Sequence, residues 1–140
     1  MRSNVLGLDV GSERVGVALV RGDVRIPVVL TTLQRKSDDF WDQLRELIKE
    51  HDVTTCVLGL PRGLDGQETQ QTASARAFGS ELAKSFSGTI NWQDEALTSV
   101  KAKEYLNLQG KPYQKADVDG VAATIILSDY INDNEVNHSE

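Results

Sequence analysis

Sulfur, proline and positive charge are all scarce in this chain of 140 residues, which holds one cysteine, three prolines and 15 Lys and Arg against 21 Asp and Glu. The lone Cys56 excludes an internal disulfide or a Cys-based zinc site, and its place in the apolar run V-T-T-C-V-L-G-L assigns it to packing. The prolines stay out of element centres: Pro27 opens a β-branched run, Pro61 sits in a loop and Pro112 breaks a helix. No apolar run approaches the length of a membrane span and no signal peptide precedes the first strand, so the expectation is a soluble cytoplasmic protein without a membrane partner. A net charge of −6 argues against holding phosphate backbones by bulk electrostatics alone. Any nucleic-acid role must rest on local patches or bound metal ions. Residues 99–116 offer one such patch, with Lys101, Lys103, Lys111 and Lys115 against Glu104 only, although a solvated helix face reads the same way.

With 39% apolar and 26% charged residues, the chain is neither disordered nor membranous by composition. Its length fits one domain, expected over residues 1–132, with the polar residues 133–140 as a flexible tail. The stretch Val5 to Ala18 reads as a hairpin, two short apolar runs joined at Gly11-Ser12, with Asp9 interrupting the first run. A carboxylate within a half-buried strand is costly unless paired, hydrogen-bonded or bound to a cation. Asp9 is therefore either a turn residue accepting backbone hydrogen bonds or a functional acid.

The hairpin is followed by an edge strand at Ile26–Leu33 and a helix over 38–50 capped by Ser37, with Phe40, Leu44, Leu47 and Ile48 on one face. Thr54–Leu60 is a fully buried strand, and Asp65 with Glu68 has the spacing of a capping box for a helix over 66–86. Thr89–Trp92 forms a short strand, Thr98 caps another helix that Gly110-Lys111-Pro112 ends, and a last helix begins at Asp119. The order βββαβαβαα is a mixed α/β layer architecture.

Asp9, Glu95 and Asp119 each lie at a strand end or helix start, where side chains converge on one rim of a sheet. Three carboxylates repel one another without cations, and oxygen-only donors suit Mg²⁺ or Mn²⁺; two such ions would support hydrolysis of a phosphodiester. With 21 acids in the chain, many triples of this kind exist and most acids are simply solvated.

The blocks L-D-V-G-S-E-R-V-G-V-A, V-L-G-L-P-R-G-L-D-G, D-E-A-L-T-S and V-D-G-V-A-A-T-I-I-L-S-D-Y, in this order, resemble the four signature blocks of the YqgF family over about residues 4–131. The resemblance implies an RNase H-like three-layer fold, a mixed five-stranded sheet with its first three strands antiparallel, flanked by helices. It also implies a metal-dependent nuclease for structured nucleic acid, linked to pre-16S rRNA processing and to Holliday junction resolution. Structured RNA is favoured over a four-way DNA junction, as a monomer or a homodimer. Asp9, Glu95 and Asp119 fall on the family's acidic positions and would hold the ions. Gly11 and Arg14 match the D-x-G-x-x-x-x-G segment, and Arg62 lies in the loop after the fourth strand. Arg14, Arg62, Thr98 and the four lysines are the expected substrate contacts. Gly11 is expected to leave room for ion and phosphate.

Glu13, Ala96 and Asp117 depart from the family pattern, each removing or reversing a charge that could meet phosphate, so weakened activity is part of the expectation. A nucleotide-binding module and a non-catalytic assembly factor stand as rivals. The first lacks a second lobe and a P-loop lysine; the second is made plausible by Ala96 and Asp117.

Overall fold

A computed structural model describes residues 4–63, 65–95 and 98–138. Nine elements follow in chain order: β1 (Asn4–Val10), β2 (Arg14–Val20), β3 (Val28–Gln34), α1 (Phe40–Glu50), β4 (Val53–Pro61), α2 (Gln70–Ser85), β5 (Thr89–Glu95), α3 (Thr98–Gln109) and α4 (Lys115–His138). The strands form one sheet in the order β3-β2-β1-β4-β5. β1, β2 and β3 are antiparallel neighbours, whereas β4 and β5 run parallel to β1. This is the expected mixed five-stranded sheet, with the β-branched run at its edge and the continuous apolar run of β4 inside it. Among the described residues no helix is long and apolar enough to cross a membrane.

Strand parity builds the layers, because successive side chains point to opposite faces. Leu6 and Leu8 of β1, Val15, Val17 and Leu19 of β2, and Cys56 and Leu58 of β4 pack with Phe40 and Leu44 of α1 and Phe78 and Leu82 of α2. The opposite parity, Ala18 and Val20 of β2 with Val57 of β4, packs against Ala123, Ile126, Leu127 and Ile131 of α4. Asp9 shares the parity of Val5 and Gly7 and so stands on the α4 face. That face is lined by small residues. A Cβ on Gly7 would run into Leu127 and one on Gly16 into the Asp119 carbonyl, so α4 lies close upon the sheet. α3 rests on α4 through Ala102, Val118 and Ala122.

Several boundaries differ from the sequence reading: the edge strand β3 begins at Val28 and not Ile26, and Pro61, expected in a loop, is the last residue of β4. α1 begins at Phe40, because the Ser37 hydroxyl turns to Asp39 and no side chain caps the helix. α2 begins at Gln70, four residues late: Gly66 has φ 77° in a turn closed by its N–H to the Gly63 carbonyl. Thr69 is the cap in place of Asp65. Its hydroxyl accepts the Thr72 N–H while the Thr72 hydroxyl accepts the Thr69 N–H at 2.9 Å. β5 continues to Glu95 through pairing with β4 as far as Pro61. α4 starts at Lys115, a turn before Asp119, because the Asp117 carboxylate accepts the Gln114 N–H at 2.9 Å and serves the helix start. Asp117 thus has a structural employment where the family pattern leads one to expect a phosphate contact. The same helix continues to His138, through residues expected as a tail, and Gln93 of β5 donates to Asp133 at 2.7 Å.

Candidate active site

Asp9 is the penultimate residue of β1, Glu95 is the last residue of β5 and Asp119 lies in the second turn of α4; all three line one open cleft of about 630 Å³. Its floor is the carboxyl end of β1, β4 and β5, with Gly59 between the two acidic strands. The first turns of α2 and α3 form the walls. Because β4 separates β1 from β5, the Asp9 and Glu95 backbones stand two strand spacings apart, roughly 10 Å. Among the described residues no three acidic, His or Cys side chains come together as a metal-holding group. The cleft gathers the predicted acids without closing them into one cluster.

Each acid has its own surroundings. Asp9 is half-buried, and its carboxyl is pushed up to about 7, first by burial and then by the Asp119 charge. Asp119 receives Arg14 Nε at 2.6 Å, an ion pair in which both side chains are about four-fifths covered. Glu95 is buried, with Oε2 accepting the Thr98 hydroxyl at 2.9 Å and Oε1 lacking any hydrogen-bond partner. Burial first, and then the neighbouring Asp129 carboxyl, which favours a proton shared between the two acids, raise its carboxyl to about 8, while Thr98 and Lys101 act the other way. The orphaned Glu95 oxygen on one side of the cleft, and on the other Asp9 beside an Asp119 that only Arg14 offsets, are oxygen donors with one cation for three acids. That chemistry fits a hard divalent cation.

The remaining predicted residues are dispersed. Gly11 lines the cleft, and its need is local: its N–H donates to the Arg14 carbonyl at 2.9 Å, and a Cβ would press on that same oxygen at 2.8 Å. Arg14 braces Asp119 and also meets Glu13 at 3.5 Å, so its guanidinium is engaged within the protein. Arg62 lines the cleft and pairs with Asp94 at 3.3 Å and Glu68 at 3.6 Å. Thr98 holds Glu95. Lys101, Lys103, Lys111 and Lys115 are exposed and outside the cleft lining, with Lys101 near enough to influence Glu95. Ala96 lies outside the described residues.

Sequence reasoning passed over Ser12, Gln70, Gln71 and Ser74, which give the cleft an uncharged polar wall. The run T-Q-Q-T-A-S, polar at the start of a helix beside the loop after β4, was the available signal. It also passed over Asp129, although the last of the four quoted blocks, ending S-D-Y, contains it. Asp129 meets Glu95 because α4 crosses β5, where Asn91 donates to Tyr130 at 2.8 Å.

A family model described as a Holliday junction resolvase, RuvX, matches residues 3–133. The chain belongs to the RuvX family. A relative from Crocosphaera subtropica is 40% identical over 134 residues, covering 94% of each chain, and carries the name "Putative pre-16S rRNA nuclease". One of the same name from Chloroflexus aurantiacus is 39% identical over 131 residues, 91% of this chain and 86% of the relative. Among solved structures, T. thermophilus RuvC in complex with Holliday junction substrate aligns with a TM-score of 0.52 at 12% identity, over 94% of this chain and 96% of that one. That likeness shows the RNase H-like fold. The RuvX membership and the nuclease names of the relatives make the chain a member of a nuclease family, a hydrolase acting on nucleic-acid ester bonds.

Proposed function

We propose that this RuvX-family chain is a divalent-metal-dependent nuclease that cleaves structured RNA, trimming the 5′ end of a small-subunit ribosomal RNA precursor. The supporting observation is the one cleft into which β1, β5 and α4 deliver Asp9, Glu95 and Asp119, with Asp9 close enough to feel the Asp119 charge and Glu95 Oε1 without a hydrogen-bond partner. Asp9 with Asp119, and Glu95 from the opposite side, would hold Mg²⁺ or Mn²⁺. When bound, the ions supply Lewis-acid stabilisation of the charge that develops on the phosphodiester. Carboxyls raised to about 7 and 8 surrender protons as a cation binds, so occupancy of the site rises with pH.

The protein's own groups supply position. Arg14 fixes the Asp119 carboxylate through its Nε, and Thr98 orients Glu95. Ser12, Gln70, Gln71 and Ser74 present hydroxyls and amides that hydrogen-bond sugar and base edges, while Arg62 at the rim and the exposed lysines of α3 and the α3–α4 connection meet backbone phosphates. A monomer suffices for this reaction on RNA.

The test is a cleavage assay in Mg²⁺ or Mn²⁺ against chelator, comparing single-stranded RNA, a ribosomal precursor leader and a four-way DNA junction, with Asp9→Asn as control. Metal-dependent cleavage of the leader that is lost in D9N is the expected result. Equal rates for D9N and the native chain would refute the mechanism. Preferential cleavage of the junction would assign the site to DNA instead and require a dimer to match the symmetry of the substrate.

A further inference from the structure

A second, smaller cavity of about 200 Å³ lies behind one wall of the cleft, lined by Arg35, Phe40, Trp41, Ala77, Phe78 and Glu81. Its back is aromatic: the Trp41 and Phe78 rings stack at 5.0 Å and 25°, and Phe40 meets both edge-on. Phe40 and Phe78 are buried, but Trp41 is only partly covered and lies at the surface of α1. Arg35 joins this cavity to the cleft. Its Nη1 donates to the Gly11 carbonyl at 2.8 Å and to the Ser74 hydroxyl at 3.1 Å, both residues of the cleft wall, while the guanidinium lies 5.4 Å over the Phe78 ring.

Arg35 is also unusual in charge. Arg14, Arg45, Arg62 and Arg76 each pair with a carboxylate; Arg35 and the exposed Arg21 show no ion pair among the described residues, and of these two only Arg35 is partly covered and lines a cavity, with Glu81 on the same rim unpaired to it. A half-covered guanidinium held by a carbonyl, a hydroxyl and an aromatic face keeps its full positive charge available to an anion. The cavity is smaller than the 300 Å³ or more typical of sites for drug-sized ligands. That volume holds part of one nucleotide and not the whole: the aromatic lining suits a base laid against Trp41 and the Arg35 cation suits its phosphate, with the rest of the nucleotide outside the cavity.

We propose that this cavity is an accessory subsite for one nucleotide of the substrate strand, next along the chain from the segment held in the cleft. The strand leaves the acidic floor past Ser12 and Ser74, its phosphate meets Arg35 and its base stacks on the partly covered Trp41 ring. Stacking is sequence-tolerant, so the subsite sets the path of the flanking strand and not the identity of the base. This inference rests on the nuclease reading above, because it assigns the same strand to both places.

The experiment uses the full chain with Trp92→Phe, which leaves Trp41 as the sole tryptophan, and an RNA hairpin with a 12-nucleotide single-stranded 5′ extension in Mg²⁺. Indole fluorescence is read at mixing, before cleavage, and anisotropy of a labelled copy of the RNA reports binding separately. Saturable quenching that tracks the anisotropy is expected, and W41F, which keeps Trp92, shows no such quenching. W41A and R35A weaken binding by about fivefold or more, while W41F and R35K hold close to native affinity. Anisotropy showing tight RNA binding with unchanged Trp41 fluorescence overturns the subsite and leaves the nuclease reading intact. Absence of any RNA binding overturns both. Circular dichroism of W41A and R35A guards against loss of fold, and the quenching measurement does not depend on either variant.

Discussion

Gly16→Ala is the substitution with the sharpest consequence for the cleft. Gly16 lies in β2 opposite Asp9, and on its α4 side the new methyl group would fall on the Asp119 carbonyl, far inside the 3.0 Å that real Cβ atoms keep, with the Gly120 nitrogen at 3.0 Å. Both obstacles are backbone, so no side-chain rotation relieves the clash and the start of α4 must lift from the sheet. Overpacking of this kind costs about 1–3 kcal/mol, and a backbone obstacle places G16A near the upper end. For a chain of this size each kcal/mol lowers Tm by roughly 3–5 °C, so a fall of about 8–12 °C is expected. Lifting the helix start also carries Asp119 away from Asp9 and strains its 2.6 Å bond to Arg14, so cleavage should fall at least tenfold at temperatures where the variant is folded. The comparison is Gly7→Ala, whose obstacle is the Leu127 side chain, further along α4 from Asp119. G7A should lose stability with little loss of rate per folded molecule. The measurements are thermal and urea denaturation together with single-turnover cleavage. A G16A protein within about 0.5 kcal/mol of native and fully active would refute the argument that this close approach positions Asp119.

Asp9 gives the metal-free protein an inverted pH dependence. Its carboxyl lies near 3.8 when unfolded and about 7 when folded, so the folded state holds the proton more tightly. The stability this contributes is complete below about pH 4 and is lost as pH rises through 7, by at most about 4 kcal/mol. Urea titration in chelator between pH 5 and 8 should show the decline, and D9N should make it shallower, leaving the part owed to the raised Glu95 carboxyl, and be the more stable protein at pH 8. Added Mg²⁺ should raise the Tm of the native chain at pH 8 by an amount that grows with concentration, and raise that of D9N much less. Thr69→Ala removes the observed α2 cap and should cost about 1 kcal/mol, whereas Asp65→Ala, at the position the sequence favoured, should be nearly neutral to urea denaturation. Thr98→Val deletes the hydroxyl on Glu95 Oε2, leaving a buried carboxylate with one partner fewer; kcat should drop several-fold with KM little changed in steady-state cleavage.

Local periodicity made most of the elements legible. Alternation in β1 and β2, the unbroken apolar run of β4 and the i, i+4, i+7 spacing of α1 each reflect which face of an element is buried, and burial is recorded residue by residue. Starts and stops were less legible because competing caps differ little in free energy. Asp65-x-x-Glu68 and Thr69-x-x-Thr72 both suit a helix start, and the choice went to the pair whose hydroxyl also reaches the Pro61 carbonyl at the end of β4. Likewise Asp117 stands where a charge reversal seemed to bear on phosphate, yet it serves the start of α4.

For the site, the chain itself determined which residues are acidic at strand ends and that Asp9 would need a partner. The tertiary structure alone decided the partners. Arg14 meets Asp119 across 105 residues, Asp129 meets Glu95 where α4 crosses β5, and Arg35 bridges the Gly11 carbonyl to α2. These contacts depend on how closely helices approach the sheet and at what height they cross it. Both are set by small residues such as Gly7 and Gly16 acting together over long sequence separations, and no local pattern records their sum.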